Sequence, residues 1–485
     1  MQIKESSGSM CSDLKALMKS EPRIWLTSDH VGSDLWWQCL LRLGGPFESD
    51  DCSSKRVKGT KRVDFFWRDP EGEKLSNTAQ VLLDINSVTN HKSWDPVSLN
   101  RVKNTDVWHQ AIEVDALWRG SYGFIPLSKE QTSQVAYASS DGSSEAQREW
   151  YISIMDQAIS DPLNPRPDIV SGRGCLASPL IMKSADTEIG WTQWDKGELP
   201  EFKRDEISTI RWNSRLLNNA RRVWHFETGL DNDHSLSDIQ QKPIVILLDG
   251  QRWSMPSGAP SVLAYLTRIG MLAPAHYLLI DSIDGKTRWG ELSCNAQFWD
   301  AVFSELKNEV LDGYGLPSFE QNVLVAGQSL GGLSALYAGL HYQTYVKKVV
   351  SLSGSYWWPD VDRTMLHQAA DSKTAYSQTT DGQTTRNSMG LITGTPLGGP
   401  LEDLQLNKVA VDHLELFVSV GSGEGDMNVY NDMLARILKN KNAQFQFERF
   451  IGGHDWLAWR SSLINGLCAL IPSVSSVRPV FNHSS

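Results

Sequence analysis

The chain has 485 residues, enough for two or three domains that each bury a core. An apolar fraction of 40% and a charged fraction of 21% are ordinary for a soluble globular protein. The net charge of −11 argues against nucleic acid as a partner, and no apolar run is long enough for a membrane span. The first residues, MQIKESSGSMCSDLKALMKSEPRIW, have no apolar h-region of a secretory signal, so the expected location is the cytoplasm. Six cysteines are scattered without a C-x-x-C pair, which offers neither a disulfide framework nor a zinc site. Tryptophan is unusually abundant at nineteen copies, most of them expected in cores.

In chain order, residues 10–45 look helical or irregular and must bury Trp36 and Trp37. From Arg62 to Ile125 short apolar segments alternate: Val63–Trp67, Gln80–Asp84, Val107–Ile112 and Ser121–Ile125. Turn signals such as Asp69-Pro70-Glu71-Gly72 separate them, a spacing that predicts an antiparallel, immunoglobulin-like β-sandwich. A helix is expected over Ser143–Ile159. It ends at the proline-punctuated run Asp161-Pro162-Leu163-Asn164-Pro165-Arg166-Pro167, which cannot be helix interior.

A hairpin follows, with strands Glu206–Asn213 and Arg221–Phe226 joined near Asn218-Asn219. Strands and helices then alternate. Strands are expected at Ile244–Asp249, Tyr277–Asp281, Val323–Ala326, Val346–Leu352, Leu414–Val420 and Phe445–Phe450. Helices are expected at Ser261–Ile269, Asn295–Leu311, Leu333–Tyr342, Asn428–Leu438 and Trp456–Leu470. Such alternation specifies a mostly parallel sheet covered on both faces. Between Pro359 and Leu406 a polar, Gly/Thr-rich stretch reads as a long excursion above the sheet, where binding loops sit. The expected division is an N-terminal sandwich domain with helical flanks (1–160), a linker and lead-in (161–205), a catalytic domain (206–475) and a tail (476–485).

The most informative stretch is Gly327-Gln328-Ser329-Leu330-Gly331. A β-branched apolar run precedes it and a helix-like run follows. Strand, G-x-S-x-G and helix together are the sequence form of a nucleophile elbow, whose turn presents a strained serine above the sheet. Gly327 and Gly331 occupy the two places where neighbouring segments approach closely, with Gly332 adding clearance. The alternative reading of the same residues is a glycine-rich turn closing an αβ unit. An acyl-transfer serine needs a base, and the base an orienting carboxylate; in an α/β-hydrolase they follow in the order Ser, acid, His. His454, in Gly452-Gly453-His454-Asp455-Trp456, lies between the last strand and the last helix, and Asp455 suits the N-cap of that helix. The acid belongs after Leu414–Val420, in Gly421-Ser422-Gly423-Glu424-Gly425-Asp426. Glu424 is favoured there and Asp426 is the alternative, since Asp426 better suits the start of the next helix. The oxyanion hole would use the backbone N–H of Leu330 and, after the strand ending at Asp249, that of Gln251.

These residues resemble the enterochelin (enterobactin) esterase family over nearly the whole chain. The likeness lies in VILLDGQRW (Val245–Trp253), Asp284–Asn295 with Phe298-Trp299, Gly327–Gly332, Ser353-Gly354-Ser355-Tyr356-Trp357-Trp358 and Gly452–Asp455. The first half is similar in Phe66–Pro70, Asp106–Trp108 and Trp118–Pro126, and the linker in Asp161–Pro165. The resemblance implies Ser329 as nucleophile, His454 as base and Glu424 as acid. It also implies a cytoplasmic serine esterase that hydrolyses the trilactone of a ferric catecholate siderophore to 2,3-dihydroxybenzoylserine units. Iron would enter only within that substrate, and no cofactor is expected. Such a substrate is anionic and aromatic, so guanidinium and ammonium groups and stacking rings should line the pocket. Arg252, Lys286, Arg288, Trp357 and Trp358 all follow strand ends, where open α/β sheets bind ligands. An ion pair with Glu291 is the alternative for Arg288, and simple packing for the tryptophans. Two other readings stand beside this one: an esterase acting on another acyl ester, and a siderophore- or glycan-binding protein that has lost catalysis.

Overall fold

The structure is a computed structural model that describes residues 20, 22–49, 59–134, 144–171, 175–203, 206–229, 242–254, 257–308, 323–359 and 399–473. The 476–485 tail and most of the stretch between Pro359 and Leu406 lie outside the described residues. The chain divides into two compact units. The first comprises residues 1–187 with Ile451–Ala458, the second Glu188–Phe450 with Trp459–Ser485.

In the first unit, eight strands pair antiparallel in the order β1-β2-β5-β4-β3-β6-β8-β7. They are β1 (Phe47–Ser49), β2 (Thr60–Arg68), β3 (Thr78–Ile85), β4 (Ser98–Arg101), β5 (Val107–Asp115), β6 (Arg119–Ser128), β7 (Ile169–Val170) and β8 (Leu176–Ile181). The period-2 alternation has a physical destination on both faces. Val63, Phe65 and Trp67 of β2 share one core with Val81, Leu83 and Ile85 of β3 and with Tyr122 and Phe124 of β6. Phe66, pointing the other way, packs with Trp36, Trp37 and Leu40 of helix α1 (Asp34–Leu43). Leu82, Ile125 and Leu127 pack instead with Tyr151 and Ile154 of helix α2 (Ser144–Ile154). Apolar residues on both faces are what give these strands their dense hydrophobic reading. The expected helix over Ser143–Ile159 is shorter, passing into a 3-10 turn at Met155–Gln157. Part of the stretch expected as linker is sheet: β8 pairs with β6 through Arg119↔Ile181 to Tyr122↔Ser178.

The second unit carries an eight-stranded sheet in the order β16-β15-β14-β13-β11-β12-β10-β9. The edge hairpin β9 (Ser208–Ser214) and β10 (Asn219–Glu227) is antiparallel. Its turn holds Asn218 at φ 50°, a left-handed position that asparagine tolerates. The remaining six strands are mutually parallel: β11 (Ile244–Leu247), β12 (His276–Ile280), β13 (Val323–Gln328), β14 (Val346–Leu352), β15 (Glu415–Gly421) and β16 (Gln444–Phe450). Every residue of β11, β12 and β13 is buried, as parallel strands covered on both faces require. Helices α3 (Ala259–Arg268), α4 (Gly285–Leu292), α5 (Ala296–Ala301), α6 (Leu330–His341), α7 (Asp426–Asn440) and α8 (Trp456–Leu470) accompany these strands. The helix expected over Asn295–Leu311 is interrupted: α5 runs into a π turn at Val302–Leu306. Leu333, Leu336 and Leu340 of α6 join Val325, Val349 and Phe298 in the principal core. The strand order leaves the loops after β11, β12, β13, β14 and β15 at the same, carboxyl edge of the sheet.

Candidate active site

Ser329 stands between β13 and α6 with φ 56° and ψ −120°, a conformation a non-glycine residue holds only at a cost of about 1–3 kcal/mol. The turn is tight because the strand runs directly into the helix. A Cβ on Gly327 would lie 2.4 Å from the carbonyl oxygen of Gly331, and one on Gly332 would lie 2.8 Å from Ser351 Oγ. At Gly331 the nearest atom would be an ordinary 3.5 Å away. The second glycine the elbow needs for close approach is therefore Gly332, because α6 rests there on the end of β14. Ser329 is half-buried, and its Oγ lies 3.4 Å from Ser355 Oγ. Its N–H donates to the Leu352 carbonyl (2.8 Å), which ties the elbow to β14.

Leu330 is the first residue of α6, and Gln251 the second of the one-turn helix Gly250–Trp253 after β11. Backbone N–H groups in the first turn of a helix have no intrahelical acceptor. The Gln251 side chain has a separate task, its Oε1 accepting from the Ser282 N–H at 3.1 Å.

The acidic loop after β15 separates the two carboxylates. Glu424 is buried, and its Oε1 accepts from the Gly421 N–H (2.7 Å) and from Ser353 Oγ (2.6 Å). Ser353, fully buried at φ 48°, is itself held by the Trp459 indole N–H at 2.8 Å. Asp426 is exposed and begins α7, near the positive end of its dipole. Neither carboxylate is the N-cap, a place taken by Gly425. Glu424 is thus the buried, hydrogen-bonded carboxylate of this loop and Asp426 the exposed one.

His454 lies in the segment Ile451–Ala458, which packs within the first unit. Its N–H donates to Ser87 Oγ (3.1 Å), and its carbonyl accepts from Asn86 Nδ2 (3.2 Å). The approach is close, since a Cβ on Gly453 would meet Asn86 Oδ1 and Ser87 Cβ at 2.5 Å. Asp455 caps α8 as expected, its Oδ1 accepting from the Leu457 N–H at 2.7 Å. Its Oδ2 accepts from the N–H and the hydroxyl of Ser121, a bond the sequence did not suggest. Burial raises the Asp455 carboxyl above its ordinary range, although the Ser121 and Leu457 bonds oppose the rise.

The residues expected to meet an anionic aromatic ligand differ in their settings. Lys286 is exposed on α4. Arg252 is half-buried, and burial lowers its pKa against the opposing pull of Asp249. Arg288 does not pair with Glu291. Its Nε and Nη2 grip the buried carboxylate of Asp249 at 2.6 and 2.7 Å, while Glu291 is taken by Arg221 of β10. Burial works to lower the Arg288 pKa, but Asp249 overrides it and holds it above the ordinary value. Trp357 and Trp358 are partly buried against the principal core, and Trp357 faces the exposed ring of Trp289 at 5.9 Å. Among the described residues no cluster suits a metal ion, and no helix is long and apolar enough to cross a membrane.

The enterochelin esterase N-terminal family matches residues 62–191, and a putative esterase family matches residues 229–470. The chain is 35% identical over 443 residues to an iron(III) enterobactin esterase of Dickeya dadantii, covering 91% of this chain and 93% of that one. It is 34% identical to the iron(III) enterobactin esterase of Escherichia coli K12, covering 92% and 98%. Among solved structures, the enterobactin esterase of Shigella flexneri, crystallised in the presence of enterobactin, superposes with a TM-score of 0.72 at 33% identity. That match covers 90% of this chain and 98% of the other. The ferric enterobactin esterase of Salmonella typhimurium has the same TM-score at 34% identity, with the same coverage.

Proposed function

The chain belongs to the enterochelin (enterobactin) esterase family, and we propose that it is a serine hydrolase that opens the trilactone of ferric enterobactin. The second unit is read as an α/β-hydrolase domain: Ser329 follows the fifth strand of its sheet in chain order, and Gln251 follows the third. The first unit is read as an immunoglobulin-like sandwich, because its strands share one core from two faces. One observation above all carries the catalytic reading. Ser329 sits at φ 56° and ψ −120° between a buried parallel strand and a helix, at the same sheet edge as the buried Glu424.

In the proposed reaction Ser329 Oγ attacks a lactone carbonyl while His454 takes its proton. Glu424, through the carboxylate oxygen not occupied by Gly421 and Ser353, orients the imidazole and stabilises its charged form. The oxyanion of the tetrahedral intermediate rests on the N–H groups of Leu330 and Gln251, each such donor contributing about 3 kcal/mol to the transition state. Collapse expels the seryl oxygen of the ring, which receives the proton from His454 and leaves an acyl-Ser329. Water, deprotonated by His454, then cleaves that ester and frees the serine. Repetition at the remaining esters would yield 2,3-dihydroxybenzoylserine units. The reaction calls for no cofactor, and iron takes part as cargo of the substrate. Arg252, Lys286, Trp357 and Trp358 are the candidates for meeting its anionic, aromatic faces, with Trp289 joining Trp357. The cytoplasm is the proposed location.

Chromatography of ferric enterobactin after incubation with the protein tests this reading. Conversion of the trilactone to linear and monomeric dihydroxybenzoylserine supports it. An intact trilactone beside rapid turnover of p-nitrophenyl butyrate would show an esterase for a different acyl group.

A further inference from the structure

Beneath the elbow lies a buried polar hub that no step of the proposed reaction uses. Its centre is Asp249, two residues beyond β11 and at the N-cap of the one-turn helix Gly250–Trp253, with φ 55° and ψ 42° and only 3% exposed. Both carboxylate oxygens are doubly engaged. Oδ1 accepts from Ser282 Oγ (2.6 Å) and Arg288 Nε (2.6 Å). Oδ2 accepts from Arg288 Nη2 (2.7 Å) and Gln328 Nε2 (2.6 Å). Gln328 Oε1 in turn accepts from the Trp253 indole N–H at 3.2 Å. All of these residues leave the carboxyl edge of the sheet, from β11, β12 and β13.

Their placement along the chain is informative. Asp249 lies two residues before Gln251, and Gln328 lies two residues before Leu330. The carboxylate therefore bolts together the two turns that carry the proposed oxyanion donors. A Cβ on Gly331 would meet Asp249 Oδ2 at 3.5 Å, so the carboxylate also packs beneath the first turn of α6. Ser282 reinforces the same join, its hydroxyl on Asp249 and its N–H on Gln251 Oε1. Bidentate Arg–carboxylate pairs fix orientation as well as distance. Burying such a pair is costly unless all its hydrogen-bonding positions are used, which favours one geometry over neighbouring ones.

We propose that Asp249, Arg288 and Gln328 are positioning residues that set the spacing of the Leu330 and Gln251 N–H groups, and that Arg288 serves this hub and not the substrate. The proposal rests on the serine-hydrolase reading above. A misplacement of about 1 Å is enough to cost on the order of 100-fold in rate, so a loosened hub should appear in kcat.

The test is steady-state hydrolysis of p-nitrophenyl butyrate by the full chain and its Asp249→Asn, Gln328→Met, Arg288→Met and Arg288→Lys variants. It is accompanied by inhibition by butylboronic acid, whose boron accepts the Ser329 oxygen and forms a tetrahedral anion in the oxyanion hole. Inhibition by 2,3-dihydroxybenzoylserine is measured alongside. Asp249→Asn, Gln328→Met and Arg288→Met are expected to lose about 30- to 100-fold in kcat with KM within about twofold. Boronate affinity should fall in parallel while affinity for the catecholate product is kept. Arg288→Lys, which keeps the charge without the fork, should recover part of the loss. Should Asp249→Asn fail to fold, Gln328→Met decides, because it leaves the Asp249–Arg288 pair intact. Unchanged kcat would overturn the proposal. So would a loss confined to KM and product affinity with boronate binding intact, since Arg288 would then be a substrate contact. Failure of the underlying reading looks different: Ser329→Ala would hydrolyse the ester as fast as the unaltered chain, and butylboronic acid would inhibit neither.

Discussion

Replacing Glu424 by glutamine changes one oxygen to an NH2 group and nothing in shape, yet the loop dictates which end the nitrogen takes. Two buried donors, the Gly421 N–H at 2.7 Å and the Ser353 hydroxyl at 2.6 Å, converge on Oε1. Turning the amide nitrogen toward them would leave both without an acceptor, a penalty of about 1–3 kcal/mol each. The amide therefore keeps its carbonyl there and presents its NH2 where the carboxylate is proposed to receive the His454 N–H. The imidazole is then forced into the tautomer that cannot accept the Ser329 proton. Such an inversion costs about 10³- to 10⁴-fold in kcat, or roughly 4–5.5 kcal/mol of transition-state stabilisation. The assay is kcat/KM on p-nitrophenyl butyrate with a thermal melt alongside. Glu424→Gln should lose the rate and keep Tm within about 3 °C, since both loop bonds survive. Asp426→Asn, altering an exposed residue, should stay within about twofold in rate. A near-normal Glu424→Gln, or a larger loss for Asp426→Asn, would refute the reasoning.

Other consequences can be checked with the same protein. Gly327→Ala would force a Cβ to 2.4 Å from a backbone oxygen, so it should abolish activity and lower Tm, whereas Gly331→Ala should fold. Arg221→Met would strand Glu291, whose Oε2 now accepts from Arg221 Nη1 at 2.6 Å in a buried setting; denaturation by urea should show a loss of about 3–5 kcal/mol, and a loss below about 1 kcal/mol would contradict the burial argument. Burial raises the Asp161 carboxyl to about 6, while the unfolded chain releases that proton near the ordinary value of 3.8. Between those values the folded state holds the extra proton, so this group's contribution to stability falls as pH rises from about 4 to 6 and stays lost above. Asp161→Asn should remove that slope in melts run across the interval, and an unchanged slope would show that Asp161 titrates normally.

Much of the second unit was legible because its signals are local. The expected strand Val346–Leu352 and helix Trp456–Leu470 coincide with β14 and α8, and Tyr277–Asp281 lies one residue from β12. Continuous apolar runs bounded by glycine and polar turns leave few alternatives there. The tight turn at Ser329 was legible for the same reason, as was the Asp455 cap. Contacts distant in sequence were not. Arg288 and Glu291 are three residues apart on α4, a spacing that suggests a pair, but each finds a buried partner on another element, Asp249 and Arg221. Ser353 and Trp459 are 106 positions apart, and nothing in the run Ser353-Gly354-Ser355 marks its first serine as a support for Glu424. β8 went unread because Leu176-Ala177-Ser178-Pro179-Leu180-Ile181 carries a proline, tolerated where it stands opposite Ser121. Gly332 was undervalued for a related reason: the segment it must clear, at Ser351, arrives from the next strand.

The most direct measurement is the opening of ferric enterobactin by the Ser329→Ala chain, followed by chromatography against the unaltered protein. If Ser329 carries the acyl group, the variant should bind the siderophore, melt normally and lose on the order of 10⁶-fold in turnover. A Ser329→Ala chain that still opens the trilactone at a tenth of the normal rate or more, on the order of one lost decade, would contradict the account.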